Sequence, residues 1–228
     1  MIDVAVVDYG MGNLRSVAKA VEHVAPHLRV VVTEDPREVD GAQRVVFPGQ
    51  GAMPDCMREL DARGLRQAVV HAAKTRPFLG ICIGLQMLFE VSEEGNVPGL
   101  GLLGGRVVRF APEKMVAGDG TRLKVPHMGW NEVHQTIEHP LWDGISSGSR
   151  FYFVHSYYPD PSNRALISGY SAYPRPFTCA VAQGSLFAVQ FHPEKSQAAG
   201  LRLLTNFVHW DGAYRGIGND QAIPVLQT

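Results

Sequence analysis

Four short, nearly continuous apolar runs, at residues 4–7, 29–32, 44–47 and 78–81, divide the first part of this chain, and helical patterns lie between them. Leu14, Val17, Val21 and Val24 recur at helical spacing after the first run, and stretches at 54–60 and 65–74 read as helix before the last. A strand that is apolar at every position has no face to offer water, so helices must cover it on both sides, which is the situation of a parallel sheet. The second half changes character. A glycine-rich turn at 99–105 precedes expected strands at 105–110, 150–155, 165–172, 178–182 and 186–191, with linkers short enough to favour antiparallel pairing. A helix over 198–210 closes the pattern. The expected fold class is α/β: a three-layer sandwich with a central mixed, mostly parallel sheet flanked by helices.

With 228 residues, 45% of them hydrophobic, the chain can bury one substantial core, and a single domain is expected over residues 1–211. Residues 212–228 mix Gly, Asn, Pro and Gln and read as a loosely held C-terminal tail. A net charge of -1 gives no electrostatic case for nucleic acid or an anionic membrane. The opening segment is too short and too acidic for a signal peptide, and no apolar run is long enough to span a bilayer, so a cytoplasmic protein is expected. Three cysteines at scattered spacing fit neither a disulfide framework nor a zinc site.

Of these, Cys82 stands apart. It ends the apolar run Phe78-Leu79-Gly80-Ile81, precedes a stretch over 85–89 that reads as helix, and has glycines at 80 and 84 on either side. That is the layout of a nucleophile elbow, a strand-to-helix turn too tight for flanking side chains. A cysteine so placed can act as a thiolate, with backbone N–H groups beside it for an oxyanion. The plainer reading, a small buried hydrophobe, suits Cys56 and Cys179, which have no glycine frame.

A nucleophilic cysteine needs a base, and the base needs an orienting group. Nine histidines are available, most of them among polar or helical-surface residues. His192 differs, since it ends the strand at 186–191 and opens His192-Pro193-Glu194, where the rigid proline sets a carboxylate two residues from the imidazole. A third element, Pro48-Gly49-Gln50-Gly51, follows a strand directly. Alone it reads as a turn, but at a parallel strand's end its glycines let backbone approach a ligand. Backbone N–H groups there and beside Cys82, at Gln50 and Ile83, are the candidate oxyanion hole.

Gly80-Ile81-Cys82-Ile83-Gly84-Leu85-Gln86, His192-Pro193-Glu194 and the Pro48–Gly51 turn together resemble the class I glutamine amidotransferase signature, in the family's order and spacing. Three further blocks, at 8–16 (Asp8 to Ser16), Val125-Pro126-His127-Met128-Gly129-Trp130-Asn131 and 151–158 (Phe151 to Tyr158), resemble the glutaminase subunits of imidazole glycerol phosphate synthases. The resemblance reaches about Trp210. It implies a flavodoxin-like amidotransferase fold, no cofactor, no metal, and a triad of Cys82, His192 and Glu194 that hydrolyses L-glutamine through a thioester. It implies glutamine contacts from Gly49, Gln50, Gly51, Gln86, His155, Ser156 and Tyr157. The ammonia would pass to a (β/α)8-barrel cyclase subunit in a heterodimer, which makes imidazole glycerol phosphate and aminoimidazole carboxamide ribotide in histidine biosynthesis. Asn13, Met128, Trp130 and Lys195 would lie at that interface. From the residues alone, Met128–Asn131 reads either as a buried aromatic turn or as a loop carrying an interface anchor. The 126–131 block argues against a glutaminase serving another synthase or a stand-alone γ-glutamyl hydrolase, and intact Cys82, His192 and Glu194 argue against a non-catalytic subunit that keeps the fold.

Overall fold

A computed structural model describes residues 1–214. Strand β1 (Val4–Val7), buried at every position, leads into helix α1 (Leu14–Val24), which turns Val17, Ala18 and Val21 inward. β2 (Val30–Thr33), α2 (Pro36–Gly41), β3 (Arg44–Gly49), α3 (Met53–Ala62), α4 (Arg66–Thr75) and β4 (Phe78–Cys82) follow. Helix α2, absent from the sequence reading, is only six residues long and is set by its start. The Asp35 carboxylate accepts from the Arg37 N–H, and Pro36 supplies a preset first-turn φ.

β2 and β3 flank β1, and β4 lies beyond β3, all parallel. Because β1 to β2 runs one way across the sheet and β2 to β3 to β4 the other, right-handed crossovers place α1 on one face and α2 to α4 on the opposite one. The expected sandwich with both faces covered is the result.

After Cys82 the chain makes one helical turn, α5 (Ile83–Gln86), and re-extends as β5 (Phe89–Ser92). The sequence reading placed helix over 85–89. An apolar run buried on every side carries no periodicity that separates helix from strand. Long-range pairing decides it: the carbonyls of Met87, Leu88 and Phe89 accept from the amides of residues 100–103 instead of a next helical turn. β6 (Val97–Pro98) and β7 (Leu103–Arg109) then pair with β5.

β8 (His127–Gln135) and β9 (Ser149–His155) form an antiparallel pair, with Trp130 opposite Tyr152. Met128 and Trp130 therefore lie on a strand, not in a loop or a buried turn. β10 (Tyr157–Pro161) joins β7 and completes a four-stranded sheet, β10-β7-β5-β6, that the sequence reading did not foresee. β11 (Ile167–Ala172), β12 (Pro176–Gln183) and β13 (Leu186–Val189) return to the main sheet, and α6 (Gln197–His209) packs beside α1.

The main sheet has nine strands in the order β2-β1-β3-β4-β13-β12-β11-β8-β9. The first five are parallel, and every neighbouring pair from β13 to β9 is antiparallel. Beyond α6, the Trp210 indole donates to the Ala213 carbonyl, and the Tyr214 ring lies 4.4 Å from that of His139. The rest of the expected tail, 215–228, lies outside the described residues.

Candidate active site

The sheet register brings three segments to one edge. Gly49 of β3 pairs with Cys82 of β4, and Ile81 of β4 pairs with Val189 of β13, so the carboxyl ends of three parallel strands stand level. Cys82 has φ +56° and ψ −112°, a conformation that non-glycine residues rarely hold and that costs roughly 1–3 kcal/mol. The tight turn explains its glycines. A methyl group at Gly84 would overlap the Phe47 carbonyl, and one at Gly80 would come within 2.9 Å of the Ala188 Cβ. The glycines are needed for close backbone approach, while the positive φ falls on the cysteine itself.

His192 follows β13, and its Nδ1 lies 2.9 Å from Oε1 of Glu194, with both side chains buried. Its Nε2 makes no hydrogen bond among the described residues, and the residue shares one pocket with Cys82. Burial alone would depress the imidazole; the neighbouring Cys82, then Glu194, outweigh it and hold the ring well above its ordinary value. Ser196 fixes the turn, since its hydroxyl donates to the His192 carbonyl and accepts from the Tyr152 N–H. Composition offered no signal for Ser196.

Cys82 and His192 open into a pocket of about 240 Å³ lined also by Gln50, Gly51, Ile83, Gln86, His155, Ser156 and Tyr157. Nearly every expected glutamine contact therefore reaches one cavity. Gly49 is not among the lining residues; it packs against the elbow, where a Cβ would stand 2.6 Å from the Tyr9 hydroxyl and 2.9 Å from the Gly84 nitrogen. Pro126, Val154 and Glu94 complete the wall. Glu94 was not singled out in the sequence; its carboxylate also accepts from the Met53 N–H at the start of α3. No cluster suited to a metal ion occurs among the described residues.

Beneath the pocket, a chain of hydrogen bonds fixes its own direction. The Tyr157 carbonyl can only accept, so His155 must carry its proton on Nδ1, 2.9 Å away. Nε2 of His155 is then an acceptor, which puts the His127 proton on Nδ1, 2.9 Å from it. Asn131 Nδ2 stands 3.3 Å from the remaining nitrogen of His127. Burial holds both rings neutral, His155 down to about 3 and His127 down to about 4. Gln190, missed in the sequence because it sits within an apolar strand run, is fully buried and reaches the Cys82 sulfur at 3.8 Å.

Comparison with known proteins follows the same lines. The family model described as glutamine amidotransferase class-I matches residues 5–210. Imidazole glycerol phosphate synthase subunit HisH of Aromatoleum aromaticum is 68% identical over 210 residues, 92% of this chain and 99% of that one. The HisH subunits of Thiobacillus denitrificans and Nitrosospira multiformis are 65% and 66% identical over the same share of this chain, covering 92% and 99% of their own lengths. The chain belongs to the class I glutamine amidotransferase family, in its HisH branch. Among solved structures, a putative GMP synthase component from Thermoplasma acidophilum superposes with a TM-score of 0.67 at 19% identity, covering 91% of this chain and 92% of that one. A glutamine amidotransferase from Thermotoga maritima gives 0.58 at 18% identity, over 85% and 76%. These two share the amidotransferase fold with this chain. By name these relatives are subunits of imidazole glycerol phosphate synthase. No helix of the described residues is long and apolar enough to cross a membrane.

Proposed function

We propose that this chain is the glutaminase subunit of an imidazole glycerol phosphate synthase, with Cys82, His192 and Glu194 as its triad. The observation that carries the reading is the strained Cys82 elbow meeting an imidazole paired to a buried carboxylate at one pocket. The Cys82 thiolate attacks the carboxamide carbon of glutamine. His192 gives its proton to the departing nitrogen, the C–N bond breaks, and ammonia leaves a thioester. Water then attacks the thioester, His192 takes its proton, and glutamate departs as the thiolate re-forms. Glu194 keeps the ring oriented and stabilises its charged form. The Gln50 and Ile83 N–H groups serve the oxyanion, and Gly51, Gln86, His155, Ser156 and Tyr157 hold the substrate, with Gly49 behind them in the turn that packs against the elbow. Glu94 supplies a carboxylate suited to the α-ammonium group.

Ammonia released into bulk water would be protonated, so the glutaminase delivers it to a partner, a (β/α)8-barrel cyclase. The surface supports this assignment. Met128 is 62% exposed and Trp130 38%, two large apolar side chains on one face of β8. Trp130 stands edge-on to Tyr152, and the Lys195 ammonium lies 5.9 Å from the Tyr152 ring centre. A shallow concavity of about 350 Å³ adjoins Trp130. Asn13, which precedes α1 without making a capping hydrogen bond, completes the proposed interface. Residues 1–211 form the amidotransferase domain in this reading, and the enzyme acts in the cytoplasm.

The test is labelling with diazo-oxo-norleucine, a glutamine-analogue electrophile, followed by peptide mapping and glutamine-dependent turnover with the cyclase. Modification at Cys82 and turnover only with that partner support the reading. Labelling elsewhere, or ammonia transfer to another synthase, overturns it.

A further inference from the structure

Gln86 and Gln190 form a pair of buried amides between the substrate pocket and the nucleophile, and their orientations are forced. Gln86 Nε2 lies 3.1 Å from the Tyr157 carbonyl, which already accepts from His155 and can only accept again. The nitrogen of Gln86 must therefore face that carbonyl, leaving its Oε1 without a partner among the described protein groups. The same Nε2 lies 3.0 Å from Gln190 Oε1. A flipped Gln190 would set nitrogen against nitrogen there, so its oxygen faces Gln86 and its Nε2 faces the Cys82 sulfur at 3.8 Å. The direction of the whole chain thus starts from one backbone carbonyl and ends as an N–H aimed at sulfur.

We propose that Gln190 is a positioning residue for the glutaminase reaction: its amide N–H favours the Cys82 thiolate, while its oxygen locks the Gln86 side chain, which lines the pocket. This rests on Cys82 being the nucleophile. A hydrogen-bond donor stabilises a thiolate more than the neutral thiol or the thioester sulfur, so it favours the sulfur both before attack and as the thioester is cleaved. Its oxygen acts separately, by fixing the Gln86 side chain in the pocket wall. Two isosteric variants separate the two actions. Gln190→Met removes both donor and acceptor. Gln190→Glu keeps the acceptor for Gln86 and replaces the donor with a carboxylate.

The measurement is the pH profile of Cys82 alkylation by iodoacetamide, read by peptide mapping, alongside glutamine KM and thermal midpoint. His192, Tyr9 and Cys56 are the other titratable side chains that act on the sulfur, and all are unchanged in both variants. Loss of one donor to an ion predicts that the alkylation profile of Gln190→Met moves up by about one pH unit, with about tenfold slower alkylation on its rising limb. Glutamine KM should also rise in that variant. Gln190→Glu should shift the pH profile further upward while KM stays near the parent value, a split that loosened packing does not produce. Should Gln190→Met unfold, Gln190→Glu decides alone. A parent labelled at Cys82 whose profile superimposes on those of the folded variants overturns the role of Gln190. A parent not labelled at Cys82 overturns the nucleophile assignment, and this proposal with it.

Discussion

Gly49 and Cys82 are register partners at the carboxyl ends of adjacent parallel strands, so the glycine turn and the cysteine elbow are fixed to each other through the sheet. A Cβ at Gly49 would meet the Tyr9 hydroxyl at 2.6 Å, the Ile83 Cβ at 2.8 Å and the Gly84 nitrogen at 2.9 Å. Two of these belong to the elbow. Gly49→Ala should therefore destabilise the fold by about 1–3 kcal/mol, as overpacking does, and should lower glutaminase activity in the fraction that remains folded. Chemical denaturation gives the first quantity and steady-state assay the second. An unchanged denaturation midpoint would show that the turn yields.

Cys82 holds a positive φ that glycine adopts freely. Cys82→Gly is expected to lose glutamine-dependent activity and to keep, or raise by about 1 kcal/mol, the stability of the parent, because backbone strain is relieved as a small side chain is lost. Cys82→Ala keeps the strain and should fall below it. The order of the two denaturation midpoints checks the strain, and ammonia-dependent turnover in complex with the cyclase checks that only the glutaminase step is lost.

Glu194 touches His192 and not the substrate pocket. Glu194→Gln should retain measurable glutaminase activity, whereas His192→Ala retains almost none, since only the latter removes the proton carrier. Equal and complete loss in kcat for both would give the carboxylate a larger part than orientation.

Buried His127, His139 and His155 are all held neutral, burial driving them down to about 4, 3 and 3. Below the ordinary histidine range the unfolded chain takes up protons that the folded one refuses, so stability is intact above about pH 6.5 and falls as pH drops toward the folded values. Each histidine can contribute a slope of up to about 1.4 kcal/mol per pH unit. His139 accepts from the Leu141 N–H, a bond that glutamine can make in its place. His139→Gln should flatten the urea midpoint between pH 7 and 5 by up to one such contribution. A slope identical to the parent would mean that His139 titrates normally in the fold.

Trp130 and Met128 present apolar area on one face of β8. Trp130→Ala should weaken association with the cyclase by about 2 kcal/mol or more, the scale of an interface anchor, and leave the thermal midpoint of the isolated glutaminase nearly unchanged. On its own the glutaminase should hydrolyse glutamine slowly, and partner with cyclase ligand should raise the rate by orders of magnitude. Binding titrations and assays of the isolated and assembled forms test both points.

The sequence by itself determined the parallel half of the fold and marked Cys82, His192 and Glu194 as the proposed triad. Strands apolar at every position admit one solution, a sheet covered on both faces, and that is where β1, β3 and β4 lie. Local patterns were enough to expect the Cys82 turn and the His192–Glu194 contact, because a glycine frame and a rigid His-Pro-Glu turn express their geometry within a few residues. Only the tertiary structure decided what depends on partners distant in sequence. The stretch at 85–89 turns from helix to strand because amides at 100–103 claim its carbonyls. Met128 and Trp130 lie on a strand because β9 pairs with them. Gln190 looks like a polar interruption in an apolar run until Gln86, 104 residues away in the chain, meets its oxygen and the sulfur of Cys82 meets its nitrogen. Periodicity records which face of an element is buried; it does not record which far segment fills that face, and hydrogen-bond direction is set only when both partners are in place.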